Sequence, residues 1–306
     1  MSESFADRLV QSVEEKKSCL VVGLDPVLER LPREILGALG SGAPSNAGYC
    51  ARAAGALGLF LSRVIEAVRD SAVAVKPNSA FYERFGASGC EVLTEVCRKA
   101  KKAGLLVILD VKRGDVGHTA EAYADAYLGS TPDTPGPYVD AITVNPLLGT
   151  DSMKSFLKMS HSGGKGLFVL VRTSNPSAHE LQDLEVEGEP LYLRMAALTA
   201  RWGEPLRGRS GFSSIGAVVG ATAIEQAKRI RAALPHAPFL VPGYGAQGAE
   251  AAQLKACFRA DGRGAVVNAS RSILFAHEQK DIPWIEAIRQ AAETARRELE
   301  QIRNSL

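Results

Sequence analysis

Eight times between residues 19 and 267 the chain passes through a short apolar run, and most of these runs stop abruptly in a polar group. Runs without polar alternation are what parallel strands buried on both faces require. They are Cys19–Leu24, Ala72–Val75, Leu105–Leu109, Val139–Val144, Gly166–Val171, Ile215–Val219, Phe239–Val241 and Gly264–Val267. Apolar residues at helical spacing lie between or after them, at 49–69, 90–103, 115–128, 191–202, 223–234 and 284–303. The stretches 36–48 and 130–137, rich in small residues and proline, read as loops. Eight such strands over about 250 residues, with six helical segments between or after them, predict an α/β fold, a (β/α)8 TIM barrel, with its site at the carboxyl ends of the strands. An open doubly wound sheet is the competing architecture, but no G-x-G-x-x-G follows the first run and no break in composition divides the chain. Residues 1–306 are therefore expected to form a single barrel domain, with an amino-terminal helix carrying Phe5, Leu9 and Val13 on one face.

Composition narrows the class of partner. A net charge of +2, with 23% charged residues and no basic block, gives no reason to expect nucleic acid. No apolar run is long enough to span a membrane, so no membrane partner is expected. The amino terminus reads as an amphipathic helix rather than a signal peptide. Five cysteines, an odd number without C-x-x-C, suggest reduced thiols in a cytoplasmic protein and show no metal-ligand spacing.

The third run carries the most informative ending, Asp110-Val111-Lys112-Arg113-Gly114-Asp115. Alternation along a strand turns Asp110 and Lys112 to the same side. Gly114 permits a turn, and Asp115 stands where the N-cap of helix 115–128 is expected. Singly, each charge has an ordinary structural use. Together, opposite charges at the mouth of a buried strand stabilise a fold poorly and suit a site well. Lys76 closes the second run and Asp25 the first. Lysines interleaved with the carboxylates would repel a divalent cation, so the site is expected to hold no metal and no cofactor. Lys112, flanked by carboxylates, is suited to donate a proton rather than to form a Schiff base. In this fold the loops after the seventh and eighth strands often bind phosphate. Here the seventh run is followed by Pro242-Gly243-Tyr244-Gly245-Ala246-Gln247-Gly248, whose backbone N–H groups can close on an anion, and the eighth by Arg271.

These features coincide with a known family. LDVKRGDVGHTAEAYA at 109–124, VKPNSAFYERFG at 75–86, NPLLGTDS at 145–152, RTSNPSA at 172–178, and VPGYGAQG with NASR together resemble the orotidine 5'-phosphate decarboxylases, specifically the longer bacterial subgroup. The resemblance runs from the first strand to the eighth. It implies decarboxylation of orotidine 5'-monophosphate to uridine 5'-monophosphate and carbon dioxide, the last step of de novo pyrimidine nucleotide synthesis. It implies that Lys112 protonates C6 and that Asp110 crowds the departing carboxylate. Lys76 and Asp25 would hold the ribose hydroxyls and orient the charges. Asp115 and Thr119 would reach the neighbouring subunit's site, so a homodimer with shared active sites is implied. Ser174 would read the pyrimidine edge, Gln247 would bridge base and phosphate, Pro242 would form part of the wall, and Arg271 would hold the phosphate beside Gly243 and Gly245. Magnesium-dependent decarboxylases and aldolases of sugar phosphates carry a similar Asp-x-Lys-x-x-Asp string. They place an acidic ligand where this chain has Lys76, and a barrel that had lost catalysis would be expected to lack one of the charged residues present here.

Overall fold

The computed structural model describes residues 3–39, 48–129, 138–220, 224–244 and 251–306. The apolar runs form strands β1 (Leu20–Leu24), β2 (Ala74–Pro77), β3 (Leu106–Arg113), β4 (Ala141–Val144) and β5 (Gly166–Arg172). A short antiparallel pair follows, β6 (Glu185–Val186) and β7 (Glu189–Pro190), and then β8 (Ile215–Val219), β9 (Phe239–Val241) and β10 (Ala265–Ala269). Every residue of β1, β2, β4, β8, β9 and β10 is buried, which is why these segments show no polar alternation. Eight strands close in the order β1-β2-β3-β4-β5-β8-β9-β10 and back to β1, all neighbours parallel. The expected TIM barrel is therefore present.

Alternate side chains divide into two cores. Val21, Ala74, Ile108, Ala141, Phe168, Val218, Leu240 and Val266 fill the barrel interior, while Val22, Val107, Ile142, Val169 and Val267 pack outward against the helices. The amino-terminal helix Phe5–Lys16 closes the lower mouth. Its Phe5 ring meets Phe168 edge-on at 5.8 Å between centroids, and a Cβ at Gly166 would come within 2.2 Å of the Phe5 ring, so only glycine fits there. Burying Phe5 in this way contributes about 1.5 to 3 kcal/mol. Asp140 receives Arg8 from the same helix and Lys101, at 2.8 Å, from Gly86–Lys102. With this helix plugging the lower mouth, the described residues leave the barrel open at the carboxyl ends of the strands.

Several local expectations change. The helix after β3 is Gly117–Leu128, with Val116 at its N-cap position and no side-chain cap. Asp115 Oδ1 instead accepts the adjacent Val116 N–H at 2.8 Å, a bond too local to cap the first turn. The helix before β3 begins at Gly86 rather than at Cys90. An unanticipated helix, Thr150–Gly163, packs beside Gly117–Leu128. Its buried positions are Ser152, Met153, Phe156 and Ser160, and the serines break the apolar stripe that would have announced it. The stretch 36–48, expected to be a loop, begins in helical turns instead, Arg33–Leu36 followed by Gly37–Leu39, because the apolar Ile35 packs into the core; 40–47 and 130–137 lie outside the described residues. No helix among the described residues is long and apolar enough to cross a membrane.

Candidate active site

The ends of β2, β3 and β4 lie side by side and bring four polar groups onto one carboxylate. Lys76 Nζ donates to Asp110 Oδ2 at 2.8 Å, and Asn78 Nδ2 reaches the same oxygen at 3.5 Å. Lys112 Nζ donates to Asp110 Oδ1 at 2.5 Å, and Thr143 Oγ1 donates to that oxygen at 2.9 Å. Burial would raise the pKa of Asp110, but the ammonium groups of Lys76 and Lys112 outweigh it and hold the carboxyl well below the usual range. Burial likewise disfavours the charged form of Lys76, and Asp25 and Asp110 overcome it, so its pKa is raised. Asp110 and Lys76 thus carry full charge at neutral pH. The side chain of Lys76 is 7% exposed and that of Lys112 is 47% exposed, so Lys112 is the more accessible of the two ammonium groups.

The pairing of Asp110 with Lys112 arises differently from simple strand alternation. The β3–β4 register shifts between Leu109 and Arg113, and Lys112 has φ +46°. This is a bulge with a non-glycine residue in the left-handed region, a sparsely populated conformation. The bulge keeps Asp110 pointing inward and still returns the Lys112 ammonium to it.

A cavity of about 630 Å³ opens above these groups. Its wall holds Asp25, Lys76, Asp110 and Lys112 from β1 to β3, Ser174 after β5, and Pro242, Gly243 and Arg271 after β9 and β10. Leu170, Val218 and Leu240 supply apolar lining from β5, β8 and β9. Gly220 lets Ser174 approach: a Cβ there would sit 2.9 Å from the Ser174 amide nitrogen. Asp25 Oδ2 accepts from Ser270 Oγ at 2.7 Å, whereas Asp25 Oδ1 and Asn268 Oδ1 are buried without a hydrogen-bond partner among the described residues. Two unpaired buried acceptors in one cavity favour a ligand that brings hydroxyl or N–H donors.

Eight of the twelve residues singled out from the sequence thus meet in one place. Asp115 and Thr119 do not line this cavity in their own chain, and Gly245 and Gln247 lie outside the described residues. Asn78, Thr143, Asn268 and Ser270 join the site without having been anticipated. Thr143 is the one polar residue of β4, and Asn268 and Ser270 belong to the NASR string. Polar residues at the upper ends of buried strands were the available signal.

Comparison with known proteins decides what kind of barrel this is. Residues 56–281 match the sequence profile of the orotidine 5'-phosphate decarboxylase / HUMPS family. A protein of Rhodopirellula baltica named orotidine 5'-phosphate decarboxylase is 41% identical over 94% of this chain and 96% of its own length. The chain belongs to this family. An orotidine 5'-phosphate decarboxylase of Caldicellulosiruptor bescii is 40% identical, covering 90% of each chain. The solved structure of Leishmania donovani OMP decarboxylase superposes with a TM-score of 0.76 at 33% identity, over 99% of this chain and 100% of that one. The curated orotidine 5'-phosphate decarboxylases span nearly the full chain, and the protein is an enzyme of the carboxy-lyase class.

Proposed function

We propose that the cavity decarboxylates orotidine 5'-monophosphate to uridine 5'-monophosphate without a metal ion, and that Lys112 delivers the proton to C6. The observation that carries this reading is Asp110 held between two ammonium groups, with one of them exposed to the cavity. A divalent cation at Asp110 would have to displace Lys76 and sit beside Lys112, which is electrostatically unfavourable. The same position argues against the magnesium-dependent sugar-phosphate chemistry.

Arg271 and the backbone N–H groups around Gly243 hold the phosphate. Asp25, through its unpaired oxygen, and Lys76 hold the ribose hydroxyls, while Ser174 meets the pyrimidine edge. This places the substrate carboxylate near Asp110, and remote binding energy offsets their repulsion. The C6–carboxyl bond breaks with its electron pair left on C6, and carbon dioxide departs. Lys112 stabilises the developing carbanion, transfers a proton from Nζ to C6, and is reprotonated from solvent. The apolar lining of Leu170, Val218 and Leu240 strengthens these charge interactions by lowering the local dielectric.

The proposed assembly is a homodimer in which Asp115 and Thr119 serve the partner's site. Supporting it are the placement of both residues off their own cavity and the exposure of neighbouring apolar side chains: Val116 is 49% exposed, Leu147 61% and Leu148 49%. Asn145 N–H bonds Arg113 O at 2.9 Å, which puts the β4 loop carrying both leucines against the end of β3.

For Arg271→Ala we expect weaker binding of phosphorylated ligands by about 2 to 4 kcal/mol, with part of the loss appearing in kcat. Titration with uridine 5'-monophosphate and with uridine, beside turnover, checks this. An unchanged affinity for the nucleotide would remove Arg271 from the phosphate site.

A further inference from the structure

We propose that Thr143 is a positioning residue whose hydroxyl sets the bulge carrying Lys112 and orients the carboxylate that Lys112 meets. Thr143 Oγ1 accepts the N–H of Val111 at 3.0 Å and the N–H of Lys112 at 2.9 Å, and donates to Asp110 Oδ1 at 2.9 Å. A hydroxyl has one proton and two lone pairs, and all three are used. The residue is 1% exposed, so water has little access to the groups it serves.

The requirement follows from the bulge. Where the β3–β4 register shifts, the two amides turn away from ordinary ladder acceptors, and the Thr143 hydroxyl accepts both. In doing so it holds Lys112 at φ +46°, a conformation that persists in an L residue only when its surroundings impose it. Its donated bond divides the carboxylate: Oδ1 serves Thr143 and Lys112, and Oδ2 serves Lys76 and Asn78. Valine has the same shape but supplies neither donor nor acceptor. Cysteine is close in size and weak in both capacities. Serine retains all three bonds.

The catalytic part of this inference rests on the proposed decarboxylation; the backbone part stands apart from it. In Thr143→Val and Thr143→Cys, kcat per folded site should fall roughly 100-fold, the scale of a reacting group displaced by about 1 Å. KM should change little, because Arg271 and Asp25 are untouched. Thr143→Ser should restore kcat to near the parent value. A purely structural role would lower the melting temperature and the folded fraction in Val and Cys without this kcat-specific loss. The Cys variant keeps the comparison available should Val prevent folding.

Amide hydrogen exchange at Val111 and Lys112 reads the clamp without turnover. Slow exchange in the parent and the Ser variant, with faster exchange in Val or Cys, is expected. Unprotected amides in the folded parent would overturn the clamp whatever the enzyme does. Protected amides with no carbon dioxide from orotidine 5'-monophosphate would refute the reaction and leave the clamp standing. Parent-like kcat in Val or Cys, with parent turnover confirmed, would overturn the positioning role.

Discussion

Lys112→Ala should lower turnover of orotidine 5'-monophosphate by at least about 10⁴-fold, because it removes both the proposed proton donor and the positive charge proposed to stabilise the carbanion. Affinity for uridine 5'-monophosphate should change far less, since Arg271, Asp25 and Ser174 remain on the cavity wall. Stability should be nearly unaffected: Lys112 is half exposed, and Asp110 keeps Lys76 and Thr143. Lys112→Arg should not rescue, because guanidinium does not give up its proton at neutral pH. Steady-state rates of both variants, a parallel binding titration and thermal denaturation measure turnover, affinity and stability in turn. A variant retaining a tenth or more of parent turnover would show that another group protonates C6.

The second large effect concerns Asp115, which is not among the described residues that line the cavity of its own chain. Lys112→Ala and Asp115→Ala, each expected to be nearly inactive, should complement when mixed under conditions that exchange subunits. A two-fold interface brings the same patch of both chains together, so a residue bordering one mouth can enter the other. Each hybrid dimer would hold one doubly damaged site and one intact site, the latter using Lys112 from one chain and Asp115 from its partner. Random mixing in equal amounts makes half the dimers hybrid, so activity should recover to about one quarter of the parent level. If Asp115 served its own chain, every site would lack a group. Absence of recovery with exchange confirmed would place Asp115 outside the partner's site.

The barrel was legible because a parallel strand packed on both sides leaves an apolar run with a definite end, and Leu20–Leu24 or Ile215–Val219 can be read directly. Thr150–Gly163 was not legible, because serines occupy two of its inward positions. At the site, Asp110, Lys76 and Asp25 were visible as charges closing apolar runs. Thr143 showed in the sequence only as a lone polar residue in an apolar run; its role was hidden, since that comes from β4 lying beside a bulge in β3, and neither the pairing nor the φ of Lys112 leaves a local trace. Asp115 illustrates the opposite error. Its position before a helix suggested a cap, yet the carboxylate bonds the next amide and the helix starts at Gly117.

The most direct test follows the ultraviolet absorbance of orotidine 5'-monophosphate with protein that has been exhaustively chelated. The Lys76–Asp110–Lys112 arrangement predicts conversion to uridine 5'-monophosphate at the full parent rate, with one carbon dioxide released per nucleotide. No absorbance change, or turnover that returns only when magnesium is restored, would contradict it.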